Sequence, residues 1–244
     1  MITEYHPRIN ENQELFKGKK IILGSFPVWS LTTSDNDDAV ISHAKELARI
    51  SSGDMQYFYG SSNNRFWSWY KAYIDNDIDK KDFKSIESSL KKYKIDITDM
   101  IFSCIRKGKS ALDKDLSNRK YNHYFFRYPE KNETIKILCT SKGVMNEMLL
   151  NKLFFSRHEG LKIDDELSEE FQNNIIQTLK GSSQNISKPF VRVLHVKNGG
   201  TIECFAIPSP GSPYRRLVDF GFNRGDNKQF LQEYLSCVFT WFTS

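Results

Sequence analysis

The sequence predicts an α/β layered domain with a mainly parallel sheet. Short apolar runs of strand length alternate along the chain with longer stretches in which apolar residues recur at helical spacing. This alternation is typical of parallel sheets covered by helices. The chain has 244 residues, of which 39% are hydrophobic and 14% aromatic. That length suits one large domain or two small ones, and the apolar content is sufficient for a real core.

The strands are predicted from apolar runs and from the turns that follow them. The first run ends in Gly24, as expected for a buried strand that leads into a tight turn. The sequence Asn198-Gly199-Gly200 is a strong hairpin signal between two later runs. The segments predicted as strands are 19–24, 134–140, 191–196 and 201–207, and 95–105 is predicted to hold a strand and its exit.

The helices are predicted from apolar spacing and from capping residues. Ser141 directly follows the third strand and is a good N-cap for the next helix. Apolar residues recur every four positions from Ile163 to Leu179, which indicates one amphipathic helix. The predicted helices are 39–50, a helix starting near Asn63, 81–93, the helix after Ser141, 163–179, and a closing helix containing Phe230 and Trp241.

The charge balance is 35 − 30 = +5, with a pI of about 8.9. This mild basic bias permits a polyanionic partner but does not require one. No apolar run approaches the ~20 residues that a membrane helix needs, and the first residues do not resemble a signal peptide. We therefore expect a cytoplasmic protein without membrane contacts.

The cysteines and histidines lack the spacing of a metal site. None of the four cysteines forms a CxxC pair, and no histidine has ligand spacing with another histidine or a cysteine. Cys139 and Cys204 lie in apolar stretches and are expected to be buried thiols. Because a glycine-rich phosphate loop is also missing, we expect no metal and no nucleotide cofactor.

The carboxyl ends of parallel strands are where open α/β sheets bind their ligands. This rule points to Gly24-Ser25-Phe26-Pro27 after the first strand and to the proline-rich segment 208–213 after the last. A glycine-containing turn lets the backbone approach a ligand closely. The alternative interpretation of Gly24-Ser25-Phe26-Pro27 is an ordinary turn between a strand and a helix.

Three segments form an ordered set: Ile22-Leu23-Gly24-Ser25-Phe26-Pro27, then Tyr59-Gly60-Ser61-Ser62-Asn63-Asn64-Arg65-Phe66-Trp67, then Ile207-Pro208-Ser209-Pro210-Gly211-Ser212-Pro213-Tyr214-Arg215. The set resembles the uracil-DNA glycosylase superfamily, most closely the branches of mismatch-specific uracil/thymine glycosylases and hypoxanthine glycosylases. A fourth segment, Ile97-Thr98-Asp99-Met100-Ile101 with Arg106 and Leu112-Asp113, also resembles this family.

The resemblance implies that residues 1–244 form a single three-layer domain with a central, mainly parallel four-stranded sheet flanked by helices. It also implies a monomeric, monofunctional DNA glycosylase that needs no cofactor. Such an enzyme takes a deaminated or mismatched base, for example uracil or hypoxanthine, out of duplex or single-stranded DNA and hydrolyses its N-glycosidic bond in base excision repair.

The resemblance assigns the base pocket to Gly24, Ser25, Phe26, Pro27 and Tyr59, where Tyr59 stacks on the extruded base. Core packing is the alternative for Tyr59. The catalytic candidates are Asn64 and, in reserve for water activation, Asp99. An asparagine can orient water or bond a base edge but cannot act as a base. The alternatives are that Asn64 caps the following helix and that Asp99 is a capping or turn residue.

The last loop is expected to press on the minor groove and to contact phosphates. Serines can bond phosphates, a proline and a tyrosine can wedge into the stack, and two arginines can contact the backbone. A solvated charged face is the alternative for the arginines. The residues concerned are Ser209, Gly211, Ser212, Pro213, Tyr214, Arg215 and Arg216.

Several features depart from the family pattern. Ser25-Phe26 stands where related branches carry asparagine or aspartate, Ser61-Ser62 replaces a His-Pro pair, and the last loop has no histidine. Segments 31–55 and 157–189 are expected to be insertions. A catalytically inactive nucleic-acid-binding relative is therefore the alternative function, while a small-molecule hydrolase has no motif in its favour.

Overall fold

Two sheets, six α-helices and three short 3₁₀ helices form the regular secondary structure in the described part of the chain. The computed structural model describes residues 2–9, 18–34, 50–110, 112–122, 127–150, 160–179, 190–220 and 227–244. The strands in these ranges are β1 (Thr3–Tyr5), β2 (Lys20–Gly24), β3 (Thr33–Ser34), β4 (Ile95–Asp99), β5 (Ile101–Arg106), β6 (Leu116–Tyr121), β7 (Thr134–Cys139), β8 (Lys162–Asp164), β9 (Val191–His195) and β10 (Thr201–Ala206). The α-helices are α1 (Phe66–Tyr73), α2 (Phe83–Tyr93), α3 (Lys142–Leu150), α4 (Asp165–Thr178), α5 (Pro213–Arg216) and α6 (Asn227–Thr243).

The larger sheet has six strands in the order β4-β2-β7-β10-β9-β8. The first four strands of this order are parallel to one another, and β9 and β8 continue the sheet in antiparallel pairings. Ile21, Ile22 and Leu23 in β2 have no exposed surface, because helices flank the sheet and its central strands are covered on both faces. Helices α3 and α6 both contact β7.

The observed sheet corrects the expected one in strand number and in direction. Four strands and a mainly parallel sheet were expected, whereas the sheet is mixed and has six strands. The four parallel strands are present, but the Asn198-Gly199-Gly200 turn, with Gly199 at φ +90°, adds β9 as an antiparallel neighbour of β10. The short strand β8 then pairs with β9 at the sheet's edge.

A second, antiparallel sheet has the order β3-β1-β5-β6 and was not predicted. The segment 95–105 was expected to hold a strand and its exit, but it forms two strands, which divide at Met100 between the two sheets. Met100 N donates to Gly24 O at 2.9 Å and Ile101 N to Ser25 O at 3.0 Å, so the chain crosses beneath the turn that follows β2. The second sheet therefore lies against the carboxyl end of β2.

Most predicted helices are present, with shifted ends. The helix expected near Asn63 begins at Phe66, and Ser141 Oγ accepts from Val144 N at 3.0 Å as an N-cap does. The helix predicted from Ile163 begins at Asp165, because Asp164 caps it by accepting from Leu167 N at 2.8 Å. The predicted helix 39–50 lies outside the described residues except for Ile50.

The two segments expected to be insertions are described in part. Within 31–55 the structure describes 31–34 and 50–55, and 31–34 includes β3 on the smaller sheet. Within 157–189 it describes 160–179, which forms β8 and α4 against β9. No helix among the described residues is long and apolar enough to cross a membrane.

Candidate functional site

A cleft lies at the carboxyl ends of the parallel strands. After β2 the chain moves to β4 on one side, and the later strand β7 pairs with β2 on the other side. Such a reversal of strand order opens a crevice beyond the strand ends. The cleft has a volume of about 190 Å³. The predicted site residues that line it are Ser25, Phe26, Pro27, Tyr59, Asn64, Asp99, Ser209 and Gly211.

Gly24 brings the strand end close to two of these side chains. A Cβ atom at Gly24 would lie 2.0 Å from Asp99 Oδ1 and 2.5 Å from Tyr59 Oη. Both distances are far below van der Waals contact, so no larger residue fits without displacing them. The glycine therefore allows Asp99 and Tyr59 to meet directly above the end of β2.

A buried ion pair holds the turn that follows Gly24. Arg106 Nε donates to Glu4 Oε2 at 2.8 Å, and the two side chains are only 2% and 8% exposed. Arg106 Nη2 also donates to Pro27 O at 2.6 Å, and its guanidinium lies 5.5 Å from the centre of the Phe26 ring. These charge-assisted bonds from β1 and β5 fix the position of Phe26 in the cleft wall.

Asp99 is a buried carboxylate at the end of β4, with 3% of its surface exposed. His6 Nε2 lies 3.1 Å from Asp99 Oδ2, and Tyr59 Oη donates to Asp99 Oδ1 at 3.3 Å. His6 Nδ1 accepts from Arg8 N at 3.0 Å, so Nε2 carries the proton and donates it to Asp99. The carboxylate is therefore oriented by two donors.

Tyr59 has a strained backbone, with φ at +54° in the left-handed region. Its ring packs on Phe66 with 4.7 Å between centroids, and the side chain is only partly buried. Burial of its hydroxyl group, and then the negative charge of Asp99, raise the pKa of Tyr59 well above its usual range. The hydroxyl consequently keeps its proton and remains a donor to Asp99.

Asn64 lies directly before Arg65, the N-cap of α1, and it both bonds the first main-chain N–H of this helix and lines the cleft. Its Oδ1 accepts from Phe66 N at 2.9 Å, while its own N donates to Ser61 O at 2.8 Å. The half-buried side chain also borders the cleft. Because Oδ1 is bonded to the helix, the NH₂ of the Asn64 side-chain amide is the part available to a ligand.

The last loop is joined to the start of α1. Arg65 N donates to Pro210 O at 3.2 Å, and the Arg65 guanidinium lies 5.3 Å from the centre of the Tyr214 ring. Tyr214 is 38% exposed, whereas Pro213 is buried, so Tyr214 is the one of these two available to a partner. Ser212 N donates to Ser209 O at 3.0 Å and closes the turn.

Arg215 and Arg216 complete this loop region. Their backbone belongs to α5, and their side chains lie outside the described part of the structure.

A second cavity of about 330 Å³ adjoins the cleft and shares Tyr59 and Asn64 with it. Lys80 and Lys81 line this cavity.

Sequence reasoning missed two polar groups of the cleft region. No histidine, His6 included, was assigned to the site from the sequence, and Asp113 was noted only as part of the family resemblance. Ser25 Oγ donates to Asp113 Oδ1 at 2.9 Å, and Asp113 lines the cleft. The Leu112-Asp113 segment was the signal for Asp113, whereas no local pattern around His6 indicates its partner.

The described residues contain no group of three or more histidine, cysteine, aspartate or glutamate side chains arranged to hold a metal ion. Cys139 and Cys204 are buried thiols, as predicted, and burial raises the pKa of each.

Comparisons with family profiles, with curated protein sequences and with solved structures find no significant match to this chain.

Proposed function

We propose that the protein is a monofunctional DNA glycosylase that hydrolyses the N-glycosidic bond of a deaminated or mismatched base in base excision repair. One observation carries this proposal. Side chains from the three motif segments, among them Phe26, Asn64 and Ser209, line a single cleft together with the buried carboxylate of Asp99.

The cleft offers a base-holding surface. An extruded base needs apolar or aromatic walls and polar groups at its edge. Phe26 and Tyr59 supply aromatic walls, and the amide of Asn64 with the hydroxyl of Ser61 supplies polar edge contacts. Base stacking on aromatic side chains is worth about 1–3 kcal/mol and tolerates different bases.

Asp99 supplies the charge that bond cleavage needs. The sugar becomes oxocarbenium-like as the bond to the base breaks, and a nearby carboxylate stabilises that positive charge and accepts a proton from the attacking water. The donors His6 and Tyr59 keep the Asp99 carboxylate oriented. Asn64 positions the base or the water through its amide group.

The rim of the cleft suits a DNA strand. This rim consists of Arg65 and Tyr214, whose side chains contact each other beside the cleft, and of Lys80 and Lys81, which line the adjoining cavity. Basic side chains neutralise phosphates, and an exposed aromatic ring can fill the space that an extruded base leaves. Arg215 and Arg216 belong to the same proposed surface.

A nucleic-acid-binding relative without catalysis is the second candidate. The observation that favours it is the use of Asn64 Oδ1 as a helix cap, which removes this oxygen from the chemistry. The rim and the cleft would then recognise an extruded base without cleaving it.

The test is incubation of the purified protein with labelled duplexes and single strands that carry uracil, hypoxanthine, xanthine or a thymine mismatch. Abasic sites are then cleaved with alkali and the fragments are measured. We expect excision of at least one of these bases without added metal. Binding without excision supports the second candidate, and neither binding nor excision contradicts both.

A further inference from the structure

Asp113 is a second carboxyl group on the cleft, and the proposed mechanism does not yet use it. It comes from a single 3₁₀ turn, Asp113–Asp115, that contacts the hydroxyl of Ser25, the residue directly after β2. Its Oδ1 accepts from Ser25 Oγ at 2.9 Å. Within the described part of the chain no hydrogen bond to its Oδ2 is found, and the residue is only partly buried. One carboxyl oxygen is thus held by Ser25, the other has no donor among the described residues, and the residue itself lines the cleft.

The charges that face Asp113 come from three other elements. Asp99 at the end of β4 and Glu147 on α3 are negative, and Arg119 on β6 is positive. Arg119 makes no hydrogen bond to the Asp113 carboxyl group, because its Nη1 bonds Glu147 and its Nη2 donates to the main-chain oxygen of Asp113. The Asp113 carboxyl therefore has two negative neighbours and no direct cation of its own among the described residues.

Burial, together with the charges of Glu147 and Asp99, raises the pKa of Asp113, while the hydrogen bond from Ser25 and the charge of Arg119 oppose this rise. Asp99, on the same cleft, accepts hydrogen bonds from His6 and Tyr59. A carboxyl group with a raised pKa beside a second carboxyl group in one site is a usual arrangement of a general acid and a general base.

We infer that Asp113 is the general acid of the site and that it protonates the departing base through Oδ2, while Ser25 is a positioning residue that holds Oδ1. This inference rests on the proposed glycosylase function. The bond between the sugar C1′ and the base nitrogen breaks, its electron pair goes to the base, and the Asp113 proton is transferred to the base. Water adds to C1′ and gives a proton to Asp99, and exchange with solvent restores both carboxyl groups.

The inference makes a prediction about pH. Excision requires protonated Asp113, so the single-turnover rate should fall as the pH rises through the pKa of this group. Asp113→Asn keeps an acceptor for Ser25 but has no acidic proton. We expect this variant to lose about 100-fold or more in rate, to lose the alkaline limb of the pH profile, and to bind DNA as the parent does.

Ser25→Ala tests the positioning role. The Ser25 hydrogen bond lowers the pKa of Asp113, so its removal should move the alkaline limb to higher pH. Asp115→Asn is the matched control, since Asp115 lies on the same turn, where its Oδ2 accepts from Ser110 Oγ at 2.5 Å. This control should keep the parent's rate and profile.

The experiment is single-turnover excision between pH 4.5 and 9 for these four proteins, with thermal melts and carbon-13 NMR titration of the aspartate carboxyls. If Asp113→Asn does not fold, the role of Asp113 is tested by the shift of the alkaline limb in Ser25→Ala and by the NMR titration of the parent protein. The inference is overturned if Asp113→Asn is as active as Asp115→Asn, or if the Asp113 carboxyl titrates at the ordinary value of about 3.9. Either result leaves the proposed glycosylase function unaffected. A parent protein inactive on every base overturns both.

Discussion

His6 Nε2 donates a hydrogen bond of 3.1 Å to Asp99 Oδ2, and the two residues are 93 positions apart in the chain. His6 directly follows β1, which belongs to the smaller sheet, and its N donates to Phe102 O at 2.7 Å. Asp99 ends β4, which belongs to the larger sheet. The hydrogen bond thus links the two sheets at the cleft, and the segment around β1 contributes directly to the candidate site.

Gly24→Ala should disrupt the site by displacing the side chains of Asp99 and Tyr59. The new methyl group would lie 2.0 Å from Asp99 Oδ1, so Asp99 and Tyr59 must move out of their hydrogen bond. We expect a loss of stability of about 1–3 kcal/mol, together with loss of excision, measured by urea unfolding and single-turnover assay.

Gly143→Ala is the control for this change. A Cβ at Gly143 has only Ser141 Oγ within 4 Å, at 3.4 Å, and alanine favours the helix that contains it. This variant should be as stable as the parent or slightly more stable, with unchanged excision. Equal effects of the two substitutions would argue against a specific role of Gly24.

Two substitutions distinguish the two roles of Asn64, its hydrogen bond to the helix and its side-chain amide in the cleft. Asn64→Ala removes both the cap on Phe66 N and the amide in the cleft, so it should cost about 0.5–2 kcal/mol in stability and abolish excision. Asn64→Asp keeps the cap and should restore stability, with activity that now depends on pH in a way the parent's does not. Thermal melts and single-turnover excision measure both effects, and a fully active Asn64→Ala contradicts the proposed role.

The sequence pattern was sufficient where local physics decides the structure. The strand 19–24 was predictable because Ile21, Ile22 and Leu23 are fully buried, and the Ser141 cap because a serine at a helix start has a local partner. Strand β6, Leu116–Tyr121, was missed because four of its six residues are polar or charged. It exists through its pairing with β5, which no local signal reveals.

The site was predictable only as far as its motifs extend. Phe26, Asn64 and Ser209 were chosen from family-like segments, and the structure brings them to one cleft. The role of His6 depends on a three-residue strand with no periodicity and on a partner 93 positions away. Such a contact follows from the topology of both sheets and not from the residues around His6.

Asp113→Asn should change stability in a pH-dependent way. Because burial raises the pKa of Asp113 in the folded state, its protonated form contributes stability that is fully present below the unfolded pKa of about 3.9. That contribution disappears as the pH rises through the folded-state value. The variant should therefore gain stability relative to the parent between pH 4 and pH 7. Urea unfolding at each pH measures the difference, and a constant difference contradicts the prediction.

DNA affinity should depend steeply on salt if basic residues at the rim neutralise phosphates. Lys80→Ala with Lys81→Ala should weaken binding and reduce the slope of log K against log salt by about 1 for each phosphate that the protein no longer neutralises. Lys162→Ala, on β8 at the far edge of the sheet from β4, should leave the slope unchanged. Fluorescence anisotropy with a labelled duplex gives these slopes, and flat binding across the salt range argues against phosphate binding at the rim.

The most direct test of the central claim is single-turnover excision by Asp99→Asn beside Asp96→Asn. Both substitutions exchange a carboxyl group for an amide on β4, but Asp96 lies toward the amino end of the strand, where its Oδ2 accepts from Gly18 N at 2.9 Å, and it does not line the cleft. The account predicts that Asp96→Asn excises a deaminated or mismatched base at the parent's rate. It also predicts that Asp99→Asn, while folded and able to bind DNA, is slower by about 100-fold or more. Equal rates for the two variants would contradict the assignment of this cleft as the active site.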